Sequence, residues 1–142
     1  MIDLKKVSLI LFITIICFIL YSFIMPHYQT KDGMSVLGYH GVVSDNEKEE
    51  YYKDDIYTLS ESQFERHIKY LYENDYIVYT MKDIQEYLDG NLDVDEKAVV
   101  LTFDDGYKNF NDVVKPILEK YGYHGNCFVI GKHVIDDKEK FL

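Results

Sequence analysis

The chain has 142 residues, a formal net charge of −10 and 47% hydrophobic residues, enough for one globular domain and an additional segment. Lys and Arg are scattered, so there is no basic patch of the kind that phosphate binding needs, which excludes a nucleic-acid partner. Alanine occurs once, at Ala98, while Ile, Tyr, Lys and Asp abound, a bias that suggests an AT-rich genome and says nothing about chemistry.

At the amino terminus, Lys5-Lys6 precede an uncharged run from Val7 to Met25, about 19 residues and roughly 28 Å as a helix, the length of a bilayer span. Bulky Tyr21, Phe23, Ile24 and Met25 fill the exit where a cleaved signal peptide would need small residues, which predicts an uncleaved single-pass anchor. Cys17 follows Ile15 and Ile16 and so does not sit in a lipobox; it reads as a membrane-buried cysteine. Lys5 and Lys6 should stay in the cytoplasm, leaving the acidic remainder on the extracytoplasmic side of the cell membrane. With Cys17 in the membrane and Cys127 outside, no intramolecular disulfide is expected. The predicted organisation is a cytoplasmic stub and anchor over 1–25, a polar linker over 26–35, and a domain over 36–142.

The domain opens with a predicted strand over Met34–Val43, which carries polar Tyr39 and His40 near its end. Ser44–Tyr57 is acidic and Tyr-rich without a period, the pattern of a long surface loop. Tyr51, Tyr52 and Tyr57 offer faces on which sugars stack, although a solvated loop is their commoner setting. Ser60 with Gln63 forms a capping box for a helix whose Phe64, Ile68 and Leu71 share one face, with His67 beside that stripe. A strand over Tyr76–Tyr79 follows, then a helix from Thr80 with Ile84, Tyr87 and Leu88 inward and Gly90 as its stop. An acidic connection over Asn91–Lys97 leads to the third strand.

That strand organises the domain. From Ala98 a run suited to burial ends in Asp104 and Asp105, and Gly106 permits a bend that few other residues tolerate. Carboxylates at the carboxyl end of a strand in an α/β fold lie where ligands bind, although Asp-Asp-Gly is also ordinary turn chemistry. Asn109 or Asn111 can then cap a helix bearing Val113, Val114, Ile117 and Leu118, with Pro116 tolerable only near its first turn and Gly122 as its end. Asn126–Ile130 is a fourth strand, and Asp136 or Asp137 opens a last helix. Strands alternating with helices predict a parallel sheet with helical crossovers, and four strands leave an exposed parallel edge, as in the front part of a larger α/β barrel.

Thr102-Phe-Asp-Asp-Gly-Tyr107, followed by Lys120-Tyr-Gly-Tyr-His-Gly-Asn-Cys-Phe-Val-Ile-Gly131, resembles the first motif and following strand of the polysaccharide deacetylases, the NodB-homology enzymes of carbohydrate esterase family 4. Val36-Leu-Gly-Tyr-His-Gly-Val-Val43 resembles the Tyr-His strand that opens many members, including those acting on exported poly-N-acetylglucosamine. The resemblance covers about residues 34 to 135 and implies the amino-terminal part of a distorted (β/α) barrel behind a single transmembrane helix. It implies a hydrolase that removes acetyl groups from the N-acetylated sugars of a cell-wall or exported polysaccharide, the expected partner besides the membrane at residues 7–25. On that resemblance Asp104 matches the catalytic base and Asp105 a ligand of a divalent metal, Zn²⁺ by default, while Tyr107, His40 and Tyr39 are the substrate-binding residues. The family's His-x-x-x-His ligands do not follow Asp105. His124 and His133 lie downstream at another spacing, which suits structural histidines better than ligands. The chain is therefore expected to be an incomplete, inactive fragment. Alternatives are a catalytically dead, membrane-tethered module that binds a glycan or partner, and an Mg²⁺-dependent phosphoryl-transfer domain. The latter places its acidic pair on the first strand of a cytoplasmic domain, against both features here.

Overall fold

The computed structural model describes residues 4–24, 33–136 and 140–142, and the chain divides into two units, Met1–Asp32 and Gly33–Leu142. In the first unit, helix α1 (Leu4–Ile24) has 21 residues, and its Leu9, Ile10, Phe12, Ile15 and Phe18 are all exposed. The expected anchor over 7–25 is thus helical up to Ile24. Among the described residues no helix is long and apolar enough to cross a membrane, and the side chains of Ser8, Phe23 and Ile24 lie outside that description. Residues 1–3 of the stub, Met25 and linker residues 26–32 also lie outside the described residues.

In the second unit the single strand expected over 34–43 is two strands, β1 (Ser35–Tyr39) and β2 (Gly41–Val43), interrupted at His40 and paired into different sheets. The expected loop over 44–57 contains helix α2 (Asp45–Tyr51), begun by a capping box in which Glu47 accepts from the Ser44 N–H at 3.0 Å. It buries no side chain, so no hydrophobic period marks it. Strand β3 (Thr58–Ser60) pairs in parallel with β2. Helix α3 (Glu61–Glu73) has the expected Ser60–Gln63 capping box and buries the expected Phe64, Ile68 and Leu71. Strand β4 (Ile77–Tyr79) leads to helix α4 (Met81–Leu88), capped by Thr80 and Asp83 and followed by Gly90 at φ 73°.

Strand β5 (Ala98–Phe103) precedes a π-helical turn over Phe110–Val114 that runs into helix α5 (Lys115–Lys120). Pro116 accounts for the wide turn: it lacks an N–H, and its ring would crowd the Asp112 carbonyl in a regular α-helix. The Lys115 N–H accordingly reaches back to the Phe110 carbonyl, five residues away. Asn109 occupies the cap position without a side-chain capping bond. The fourth strand is short, β6 (Asn126–Cys127), helix α6 spans Gly131–Asp136, and the helix expected to open at Asp136 or Asp137 falls on residues 137–139, outside the described residues. Residues 128–130 leave the sheet after the Phe128 N–H donates to the Phe103 carbonyl, and this frees the chain to coil from Gly131.

All strand pairs are parallel, and β5 lies at the centre. Along one edge β1 pairs with it from Ser35↔Val99 to Tyr39↔Phe103. Along the other edge two strands share its length: β4 covers Ala98–Val100 and β6 covers Thr102–Phe103. Asn126 joins them, donating to the carbonyls of Leu101 (3.1 Å) and Tyr79 (3.5 Å) and accepting from the Met81 N–H (2.9 Å). Val99, Leu101 and Phe103 pack on one face with Phe64, Ile68 and Leu71 of α3 and Ile117 and Leu118 of α5, while Ala98 and Val100 are buried as well. A strand buried on both faces is the setting of a parallel sheet, and it holds the end of β5 in a fixed place. Removing the joining amide should therefore cost more than an ordinary surface change. Asn126→Ala is expected to lower unfolding free energy by about 1–3 kcal/mol in urea titrations, since three backbone groups lose partners at once.

Candidate functional site

The site follows from register. Because Tyr39 and Phe103 are opposite each other in parallel strands, the residues that follow them, His40 and Asp104, emerge side by side at the carboxyl end of the sheet. His40 Nε2 lies 4.0 Å from Asp104 Oδ2, and the two side chains are 39% and 43% exposed, so both are open to a ligand. The Asp104 N–H donates to the Tyr39 carbonyl at 2.9 Å, continuing the strand ladder by one bond and fixing the carboxylate's backbone. Tyr39 itself differs from the expectation of a substrate-facing residue. Its ring is stacked on Phe103 (5.3 Å) and edge-on to Phe64 (5.2 Å), and burial pushes its phenol up from the usual tyrosine range. It anchors β1 to β5 from within the core. The His40 ring also lies 5.4 Å from that of exposed Tyr57.

After Asp104 the chain turns through two left-handed residues, Asp105 at φ 70° and Gly106 at φ 74°. Gly106 is required twice over, by that φ and because a Cβ there would lie 2.9–3.2 Å from atoms of Val129. The turn takes the Asp105 carboxylate out of the strand's alternation. It lies beside Tyr107, whose phenol is raised first by burial and then by the charge and hydrogen bond of Asp105. Tyr107 is held from the other side by the end of the chain: it bridges to Phe141, stacks on that ring at 5.1 Å, and lies 5.5 Å from Lys140 Nζ. The Lys108 and Leu142 N–H groups close this contact onto the carbonyls of Lys140 and Gly106. A pocket of about 540 Å³ opens beside it, with Tyr52, Asp55, Tyr107, Asn109 and Asp112 among its walls. Asp55 is held below the usual carboxylate range by the Tyr57 N–H and the Thr58 hydroxyl.

Cys127, which has no role in the sequence reading beyond its redox state, lies close enough to Asp104 to matter. Burial and then the Asp104 charge push its thiol up, keeping it protonated and a poor ligand at neutral pH. His124 lines a separate small pocket with Leu118 and Tyr123, and the His133 ring packs on Phe141 at 4.6 Å. Among the described residues no group of three or more His, Cys, Asp or Glu side chains could hold a metal, so the residues described do not fit a metal centre by themselves. Tyr57, one of the tyrosines expected to offer a face to a sugar, does reach the site beside His40, whereas Phe141 carries no local signal and only the return of the chain shows it.

The family described as Polysaccharide deacetylase matches residues 91–141, which contain the Asp-Asp turn. The chain is 33% identical over 101 residues to YxkH of Bacillus subtilis (strain 168), a protein whose name assigns it to the polysaccharide deacetylases; the match covers 71% of this chain and 33% of that protein. It is 38% identical over 71 residues to the poly-β-1,6-N-acetyl-D-glucosamine N-deacetylase of Escherichia coli (strain K12), covering 50% of this chain and 11% of that protein. The fold matches a de-N-acetylase from Aggregatibacter actinomycetemcomitans with a TM-score of 0.64 and 33% identity, over 72% of this chain and 39% of that one. The chain thus spans about a third of the Bacillus protein's length, and it has the α/β fold of the NodB-like structures over that part.

The left-handed turn yields a test in which stability and function separate. A non-glycine residue at φ 70° carries a steric cost, so Asp105→Gly should raise stability by a few tenths to about 1 kcal/mol in chemical denaturation. Gly106→Ala should lower it by more than about 1 kcal/mol, because both its φ and its contact with Val129 become unfavourable.

Proposed function

We propose that the chain carries part of a polysaccharide deacetylase domain and acts at the acetamido groups of an N-acetylated cell-wall or exported glycan, held outside the cytoplasm by a single-pass anchor. The observation that carries this reading is the pair His40 and Asp104, 4.0 Å apart at the ends of two strands bonded in register. A carboxylate facing an imidazole at a strand mouth is suited to handling protons. Asp104 takes the proton of the water that attacks the acetamide carbonyl, and His40 is placed to return one to the departing sugar amine. Tyr107 and Tyr57 line the approach and offer ring faces to a sugar. The Escherichia coli relative is named for poly-β-1,6-N-acetyl-D-glucosamine, and we assign the same class of glycan here.

Asp105 is the carboxylate that would serve a divalent cation such as Zn²⁺, which polarises the carbonyl when bound. The described residues do not complete its ligand set. That observation favours a second reading in which this chain holds the glycan without hydrolysing it. The anchor rests on α1, whose exposed Leu9, Ile10, Phe12, Ile15 and Phe18 suit a lipid environment better than water. A reporter joined after Leu142 is expected to be active only outside the membrane; activity in the cytoplasm would overturn the topology.

Calorimetry of the full chain with β-1,6-linked N-acetylglucosamine oligomers, paired with an acetate-release assay in added Zn²⁺, separates the two readings. Glycan binding without release and without tight Zn²⁺ binding is the outcome expected of the second reading. Release that Asp104→Asn reduces by about a hundredfold or more would show instead that the site is complete. Absence of both binding and release would overturn both readings.

A further inference from the structure

The tyrosines of the reacting end are not the only ones gathered together. Tyr70 and Tyr72 leave opposite sides of the last turn of α3 and are 59% and 56% exposed, so their rings are available to a ligand. Tyr70 meets Tyr76 at 6.3 Å, Tyr123 donates its hydroxyl to the Tyr76 carbonyl at 2.9 Å, and Tyr72 meets Tyr123 at 6.4 Å and Tyr121 at 5.5 Å. The five tyrosines thus make an arc of two ring groups around the carboxyl end of α3, Tyr70 with Tyr76 and Tyr72 with Tyr121 and Tyr123, joined through the Tyr76 carbonyl, with Tyr76, Tyr121 and Tyr123 half-buried against the core. Tyr76 immediately precedes β4, Tyr121 follows α5 and Tyr123 lies just before β6. In a parallel sheet those positions are at the amino ends of the strands, opposite Asp104.

We infer that this tyrosine arc is a second glycan-binding surface, remote from the reacting pair, which takes pyranose rings of the same N-acetylated polysaccharide. The inference rests on the proposed function for its choice of glycan. Sugars present C–H faces that stack on aromatic rings and hydroxyls that need polar neighbours, and the arc supplies both. Phenols give large, rigid contact at little entropic cost. The rim is polar, with the Lys120–Glu65 ion pair beside Tyr121 and Lys97 Nζ donating to the Asn74 carbonyl at 2.7 Å. Tyr70 and Tyr76 also wall a groove of about 740 Å³ whose other side is β1 from Ser35 to Tyr39.

The test uses the full chain and β-1,6-linked N-acetylglucosamine oligomers of increasing length. Tyr70→Ser and Tyr72→Ser should each weaken binding of long oligomers by about three- to tenfold, whereas Tyr70→Phe and Tyr72→Phe keep the ring and should retain most of it. Monosaccharide binding at the other end, read by its sensitivity to Asp104→Asn, should be unchanged in all four. Serine variants that bind long oligomers like the parent, while Asp104→Asn does not, would overturn the inference and leave the proposed function standing. Serine variants that weaken binding in a chain insensitive at Asp104 would sustain the arc and count against the proposed function. A change in sedimentation instead of glycan affinity would identify the arc as an interface between copies and overturn the inference.

Discussion

The register between β1 and β5 is the constraint on which the rest of the second unit depends. Five consecutive residue pairs lock the two strands in parallel, and the Asp104 N–H adds one more bond beyond the last pair. A slip of one residue would reverse the face of every side chain on β1 and send Tyr39 out of the core. It would also part His40 from Asp104. The aromatic contacts of Tyr39 with Phe64 and Phe103 guard against that slip, because both strands and α3 contribute a ring to the same packing. Core packing and site geometry are thus one arrangement: the residue that fixes the register is the immediate neighbour of the residue that uses it.

Much of this was legible in the sequence, and the reasons for the rest are local. The capping box at Ser60, the buried stripe of α3, the buried run of β5 and the need for glycine at 106 each leave a strong signature within a few residues. The division of the first strand at His40 does not, since both halves are apolar and only the partners, β5 for one and β3 for the other, distinguish them. Helix α2 left a cap signature in Ser44 and Glu47 but no hydrophobic period, because it buries nothing. The π-helical turn was foreshadowed by Pro116, whose position was recognised as tolerable only near a first turn; the widening that makes it tolerable depends on the bond from Lys115 to Phe110.

At the site the sequence supplied the members without their grouping. His40 and Asp104 stand 64 positions apart, and only parallel pairing of their strands makes them neighbours. Tyr107 belonged to the same motif as the carboxylates, but what orients it is Phe141, near the other end of the unit. The resemblance places Tyr39 at the site together with His40, yet successive residues of a strand point to opposite faces. One of the two had to face the core, and the larger apolar ring is the one that does.

The left-handed Asp105 shows how far backbone conformation alone can speak for function. Asp75 has a comparable φ of 58°, just beyond the end of α3, where a short polar residue is an ordinary way to stop a helix. The same residue type in the same conformation thus occurs at a position with a purely structural explanation, and strain by itself does not mark a site. What separates Asp105 is its surroundings. It follows a carboxylate that faces an imidazole, it precedes a glycine whose missing side chain is filled by Val129, and its charge acts on a phenol that Phe141 holds in place. A turn with only structural duties needs none of those neighbours. Their convergence on one bend, and not the bend itself, is the physical ground for reading Asp104 and Asp105 as chemistry.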